Sequence, residues 1–139
     1  MIHHQKTVAV ATHGRGFTEI TEEVGVVVES SRVSTGLCVV FIQHTSASLL
    51  IQENADPSVR RDLEAFFGRL VPDGDPVFSH TMEGSDDMSA HVRTALTAVS
   101  LTIPVGEGRL LLGTWQGLYL WEHRLAPHRR SVIVHVSGL

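Results

Sequence analysis

Three histidines stand beside polar partners in this chain. His44 opens the run His44-Thr45-Ser46-Ala47-Ser48, and His80 and His91 bracket the segment HTMEGSDDMSAH. Imidazole is the commonest metal ligand and the usual proton carrier near neutral pH. Glu53, Asp56, Glu83 and Asp86 are the carboxylates that convergence of the three imidazoles would bring into play. The chemistry then available is metal binding with acid–base assistance. Asp87 and His91 are four residues apart on an expected helix and share a face, so the carboxylate can orient the imidazole behind a metal. Two other chemistries find no support. The histidine spacing is not HExxH, which excludes a zincin helix, and no G-x-S-x-G elbow presents a nucleophilic serine.

Each of these residues also has a plain structural reading. Asp56 precedes Pro57, the pattern of an N-cap followed by proline at the first helical position. Asp86 or Asp87 caps the next helix, and Asn54 can cap a turn. His44, Thr45 and Ser46 can end a strand and turn the chain. Capping leaves His80, Glu83 and His91 unexplained as a group. Trp115 and Gln116 fall in a turn between strands, where an aromatic ring floors a pocket or meets a partner. Glu122, Arg124, Arg129 and Arg130 alternate with apolar residues; they form either a solvated, ion-paired strand face or a phosphate-binding set. His13, His123, His128 and His135 read as surface or sheet residues.

The elements that must position these groups follow from periodicity. Lys6 to Ala11 alternates as a strand. Glu22 to Val33 fits either period, and Thr21 as N-cap with Glu22 and Glu23 in the first turn favours a helix. Leu37 to Gln43 is a short, β-branched buried strand, and Ser48 to Gln52 a second. Val59, Leu63, Phe66, Phe67 and Leu70 mark one face of a helix that starts after Asp56 and stops before Pro72. A third helix starts near Asp86 or Asp87, with Met88, Val92, Ala95, Leu96 and Val99 as its inward stripe. Leu101 to Val105, Arg109 to Trp115, Leu118 to Arg124 and Arg130 to Ser137 read as strands joined by turns at GEG (106–108) and WQG (115–117). Helices early and strands late define an α+β class: a single domain over 1–139, largely antiparallel sheet or sandwich with two or three helices.

Composition narrows the function. The chain has 139 residues, 42% hydrophobic and 19% charged, which suits one globular domain with a real core. A formal charge of −4 argues against nucleic acid or an anionic membrane surface as partner. No apolar stretch approaches the roughly 18 residues of a membrane span. MIHHQKTVAV lacks the apolar stretch of a signal peptide, and His3 and His4 are expected to fray or to lie at the surface. The single Cys38 sits in the apolar run LCVVFI and reads as a small buried hydrophobe in a reducing, cytoplasmic compartment.

Four ordered blocks are similar to the YjbQ-like family, the secondary thiamine-phosphate synthase enzymes. They are HTSASLLIQENADPSVRRDLE (44–64), HTMEGSDDMSAHVR (80–93), IPVGEGRLLLGTWQGLYLWEHR (103–124) and RRSVIVHVSG (129–138). The departure is Gln52, where the family often has asparagine. The resemblance implies a compact α+β fold around an antiparallel sheet, assembled as a homotrimer. It implies a pocket gathering His44, Glu53, Asn54, Asp56, His80, Glu83, Asp86, His91 and Gln116, with a divalent metal on His44, His80 and His91. The implied activity is weak formation of thiamine phosphate from a pyrimidine methyl diphosphate and a thiazole phosphate, releasing diphosphate.

On this reading Glu53, Glu83 and Asp86 are the catalytic candidates. Thr45, Ser46, Asn54, Asp56, Trp115, Gln116, Arg124 and Arg130 would contact a small anionic or phosphorylated molecule. Three imidazoles favour Zn²⁺ or a similar transition metal, whereas diphosphate as ligand would suit Mg²⁺. That mismatch marks thiamine phosphate formation as a side activity. The alternatives are a metal-dependent phosphoester hydrolase and a trimeric, non-catalytic protein that binds a small anionic metabolite or a metal.

Overall fold

In a computed structural model of the 139-residue chain, eight strands and three helices follow in the order β1 (Ile2–Ala11), β2 (Gly16–Glu19), α1 (Thr21–Ser31), β3 (Gly36–Ile42), β4 (Ala47–Glu53), α2 (Pro57–Leu70), α3 (Asp87–Leu96), β5 (Ser100–Gly106), β6 (Arg109–Leu110), β7 (Gln116–Glu122) and β8 (Arg129–Gly138). The strands form a five-stranded sheet ordered β1-β8-β3-β5-β6 and a three-stranded sheet ordered β2-β7-β4. Every pairing is antiparallel. The expected α+β class with a mainly antiparallel sheet and three helices is therefore the fold.

Alternation drives the sheet architecture. In β3, Cys38, Val40 and Ile42 are buried while Leu37 and Phe41 are exposed; β8 alternates in the same way, burying Val132, Val134 and Val136. These inward residues meet Leu49, Leu118 and Leu120 of the smaller sheet and Val24, Val27 and Val28 of α1 in one core. Cys38 lies there fully buried, and burial pushes its thiol up to about 11, so it is inert packing. Gly36 and Gly138 face each other across β3 and β8. A Cβ on Gly36 would stand 2.0 Å from the Ser137 carbonyl oxygen, so only glycine permits this approach.

The helix between 21 and 31 takes the period-3.6 alternative, but Thr21 is not its cap. Ile20 occupies the cap position without a side-chain bond. The Thr21 hydroxyl instead donates to Glu19 (2.9 Å) and accepts from the Leu118 N–H (2.9 Å), stitching the helix start to β7. The Asp56-Pro57 start is as read: the Asp56 carboxylate accepts from the Ser58 N–H at 2.9 Å, with proline at the helix start.

Two expectations fail for physical reasons, and a third divides. His3 and His4 do not fray, since they pair with Ser137 and Val136 in the β1–β8 ladder, but they stay at the sheet surface, His3 exposed and His4 half-buried. The strand expected over Arg109–Trp115 pairs only at Arg109 and Leu110, after which the Leu111 N–H turns back to Pro104 O at 2.9 Å. The apolar stripe of α3 does not face inward. The helix buries Asp87, Ser89, Ala90, Arg93 and Thr94, and leaves Leu96 57% exposed. The polar residues go inside because each finds a partner there. Arg93 pairs with Glu64 of α2 at 2.7 Å, Ser89 hydrogen-bonds Asp73, and Asp87 pairs with Arg124 at 2.8 Å. Buried charge is tolerated when paired and hydrogen-bonded.

The same layer contains His123, which is fully buried rather than a surface residue. Its Nε2 lies 2.8 Å from the Ser48 hydroxyl. The pair looks like a nucleophile with its base, but neither side chain is exposed and substrate has no access. Burial, reinforced by the charges of Arg93, Arg15 and Arg130, pushes the His123 imidazole down to about 3. The unfolded chain therefore takes up a proton below pH 6.5 that the folded chain refuses, and stability falls as pH drops below 6.5. At pH 5 this one group costs about 2 kcal/mol relative to pH 7.5. Urea denaturation of wild type and His123→Gln at both pH values tests this. The wild type should lose more than the variant, and equal losses would show that His123 is not the acid-sensitive group.

Candidate functional site

The ladder between β4 and β7 decides which candidate residues can meet. Ala47 pairs with Glu122 at one end and Glu53 with Gln116 at the other. Six residues of strand separate the two ends, about 20 Å at ~3.3 Å per residue. Near the first end lie His44, Thr45, Ser46 and Arg124; near the second lie Glu53, Asn54, Asp56, Trp115 and Gln116. Within one chain the expected pocket is thus divided.

At the first end, α3 and the loop before it supply the cluster. His80, Asp87 and His91 each offer one ligand atom, all within 4.8 Å of one another. Asp87 is the hub: its Oδ2 lies 2.7 Å from His80 Nε2 and 3.2 Å from His91 Nε2. Its other oxygen, Oδ1, accepts from Arg124 Nη1 at 2.8 Å. Arg124 also donates to Asp86 Oδ2 (3.0 Å) and to the Glu83 carbonyl (2.9 Å), so one guanidinium fixes the whole loop. Burial pushes the Asp87 carboxyl up, but the hydrogen bond to His80 and the positive charge of Arg124 outweigh it; its pKa lies below the ordinary value. Asp87 therefore stays ionised at neutral pH.

The proton on His91 is placed by its neighbour. Nδ1 lies 2.9 Å from the Thr45 carbonyl oxygen, which can only accept, so Nδ1 carries the hydrogen. In the neutral ring Nε2 is then a bare lone pair aimed at a carboxylate oxygen 3.2 Å away. Two acceptors facing each other repel unless a cation sits between them. Either a proton on His91 or a metal ion resolves the contact. A ring held by a backbone carbonyl through its far nitrogen is the usual arrangement behind a metal. Two imidazoles and a carboxylate match the donor set of catalytic zinc sites, which keep further positions open. Ligands about 2.0–2.1 Å from such an ion sit roughly 3.3 Å apart in a tetrahedron, so the three donors need only small shifts.

The assignment of His44 as the third imidazole ligand requires correction. Its Nε2 accepts from the Ser131 N–H at 2.8 Å, and its Nδ1 lies 3.4 Å from Arg130 Nη1. With Nε2 accepting, the neutral ring carries its hydrogen on Nδ1, and neither nitrogen is free for an ion. Burial and then the charge of Arg130 push its pKa down, so the ring is held neutral. Asp87, not His44, is the third residue whose ligand atom converges with those of His80 and His91. The Asp87/His91 spacing of four was the available signal, but it indicated an orienting carboxylate rather than a ligand.

The two arginines expected to bind phosphate are already engaged. Arg124 holds Asp86, Asp87 and Glu83. Arg130 is buried against Glu122, donating from Nε at 2.8 Å and again from Nη2, with Ser46 Oγ at 3.0 Å. Asp86 accepts from Arg124 and from the Leu125 N–H, which together outweigh its burial and lower its pKa, so it is a loop anchor. Ser46 is buried beneath, and Thr45 serves through its carbonyl. Glu83, with an exposed side chain beside Asp87, is the carboxylate of this group suited to proton transfer.

At the far end the residues make local structure. Glu53 accepts from the N–H groups of Ala55 (3.0 Å) and Asp56 (2.7 Å), Asp56 caps α2, and Asn54 donates to Gln116 O at 3.4 Å. Gln116 Oε1 accepts from the Gly113 N–H at 2.8 Å, and Trp115 is 62% exposed.

Beside the cluster runs a groove of about 620 Å³ between the end of β3 and α3, lined in part by His44, Thr45 and His91. A cavity of about 750 Å³ between α1 and the β5–β6 hairpin shares no residue with it. We place the chemistry at the smaller one, where the histidines are.

Fold and site together define a small antiparallel α+β domain carrying a histidine–aspartate cluster that can hold a metal. The chain belongs to the family described as UPF0047 protein YjbQ-like, whose model it matches over residues 6–139. It is 56% identical to UPF0047 protein sll1880 of Synechocystis over 135 residues, 97% of this chain and 92% of that one. It is 43% identical to UPF0047 protein YjbQ of Escherichia coli O157:H7, covering 97% and 98% of the two chains. Among solved structures, an uncharacterized conserved protein of the YjbQ/UPF0047 family from Clostridium acetobutylicum superposes with a TM-score of 0.87 at 36% identity, covering 95% of this chain and 99% of that one. A conserved hypothetical protein from Thermus thermophilus superposes at 0.86, also at 36% identity, with 95% and 99% covered.

Proposed function

We propose that the chain is a metal-dependent enzyme whose ion is held by His80, Asp87 and His91. The supporting observation is the His91 lone pair turned onto Asp87 by the Thr45 carbonyl. Two imidazoles and one carboxylate favour Zn²⁺ or a similar transition metal over Mg²⁺. Bound there, the ion would supply Lewis-acid polarisation of a phosphoryl or carbonyl oxygen. The chain's own residues do the rest. Arg124 fixes the Asp87 carboxylate, Thr45 fixes the His91 ring, and Glu83 takes or gives the proton. Hydrolysis of a phosphoester is the reaction class this donor set suits, with thiamine phosphate formation as a secondary activity. The thiamine reaction must hold diphosphate, which favours a hard, oxygen-rich Mg²⁺ site, and both nearby guanidinium groups are already committed.

The test begins with trace-metal analysis of protein purified without chelators, beside His80→Ala and His91→Ala. Zinc near one equivalent per chain in the wild type and its loss in both variants is the expected result. Phosphoester hydrolysis and thiamine phosphate formation are then assayed on the same three proteins. Equal rates in all three would assign the activity to a contaminant and leave a binding role.

We further propose assembly as a homotrimer. The face of the five-stranded sheet turned away from the core carries Leu37, 49% exposed and in register with Ser137. An assembly could also bring the Glu53–Gln116 end of one copy to the metal cluster of the next. Leu37→Asp should convert the trimer to monomer in size exclusion with light scattering; an unchanged mass would remove this face from the interface.

A further inference from the structure

The groove beside the cluster has a chemical character of its own. Its apolar walls are Phe41, Ala95 and Val99, with Thr94 and Thr97 between them and Ile42 buried behind. The hydroxyls of both threonines are spent on the helix backbone, Thr94 on Ala90 O (3.0 Å) and Thr97 on Arg93 O (2.8 Å), so each contributes chiefly its methyl group. Gln43 supplies the one free amide. No aspartate, glutamate, lysine or arginine lines it. The nearby guanidinium groups of Arg124 and Arg130 point at carboxylates of their own chain. At one end of the groove stands His91, which also belongs to the proposed metal site. A charged group placed in the groove would lose its hydration without gaining a partner, and such a loss is expensive. An apolar group placed there gains by burial. A groove of about 620 Å³ is in the range of small-molecule sites.

We infer that the substrate is amphiphilic: a metal-seeking head at His80, Asp87 and His91, and an uncharged, largely apolar tail in the groove between β3 and α3. This rests on the metal site proposed above. It separates the protein from enzymes that clamp a second phosphate or carboxylate with arginine. The selecting feature of the substrate is its tail.

The probes are hydroxamates, which share one zinc-binding head and differ only in the tail. Zinc-loaded protein is titrated calorimetrically with acetohydroxamate, hexanohydroxamate and succinic monohydroxamate, whose tail ends in a carboxylate. Affinity should rise about fourfold for each methylene added between the first two, and the carboxylate tail should bind no better than acetohydroxamate. Val99→Trp fills the groove from a position outside α3; it should abolish the tail gain, so that hexanohydroxamate binds no better than acetohydroxamate. If no hydroxamate binds zinc-loaded protein, the metal assignment fails first. If acetohydroxamate binds but tail length makes no difference in wild type, the metal stands and the groove inference is wrong; a second copy of the chain covering the groove would give that result. Tighter binding of the carboxylate tail would overturn it as well.

Discussion

Glu122→Ala is expected to destabilise the domain by about 3–5 kcal/mol, a large share of the ~5–15 kcal/mol that holds a domain folded. Glu122 is fully buried and Arg130 is 4% exposed. The carboxylate accepts from Arg130, from the Thr12 hydroxyl at 2.8 Å and from the Arg124 N–H at 3.2 Å. Glu122 ends β7 in the small sheet, Arg130 begins β8 in the large one, and Thr12 follows β1. The ion pair is therefore the polar fastening between the two sheets. Burial pushes the Glu122 carboxyl up, yet the bonds from Arg130 and Thr12 outweigh it and the pKa falls below the ordinary value. Removing the carboxylate strands a buried guanidinium. Glu122→Gln keeps most of the geometry and should cost less. Replacing both partners by Leu and Met should cost least, because the charges then leave together. Urea denaturation of the three variants checks the ranking. A double variant less stable than Glu122→Ala would mean that the pair contributes net stability and not only fastening.

The second large effect concerns metal affinity. Asp87→Ala removes a ligand and should abolish stoichiometric zinc binding. Arg124→Met leaves all three proposed donor residues in place, yet should weaken zinc binding roughly 10–100-fold, the usual cost of losing a group that orients a ligand. Competition with a chromogenic zinc chelator measures both. The opposing view is that Arg124 binds a substrate anion. It predicts unchanged zinc affinity in Arg124→Met together with a raised KM, and that pair of results would refute the orienting role.

The course of the chain was largely readable because local signals agreed. Asp56-Pro57 starts α2, and the β-branched run from Leu37 makes β3. The failures share a cause. β2, with four residues, is too short to show a period and exists through its pairing with β7. The α3 stripe was misplaced because period fixes which residues share a face, while burial depends on what lies opposite; Arg93 and Asp87 find Glu64 and Arg124 there. Half of the candidate site was legible in the same sense. His80 and His91 do converge, as their common segment allowed. His44 lies beside them but spends its Nε2 lone pair on the Ser131 N–H, more than eighty positions away, which no local pattern could connect. Glu53, Asn54 and Gln116 were expected at the cluster, and the register of β4 against β7 puts them at the opposite end.

The place of β8 in its sheet bears on how the protein matures in the cell. This strand lies between β1 and β3, so residues 129–138 divide the first strand of the chain from its nearest neighbour in the core. A ribosome releases a chain from its N-terminal side, and until that segment emerges β1 has no partner and Glu122 no counter-charge. The nascent polypeptide must therefore wait with its valine-rich strands exposed, the condition in which holding chaperones act. The proposed metal, whose site needs α3 docked beside Thr45, would on this view load only after synthesis is complete.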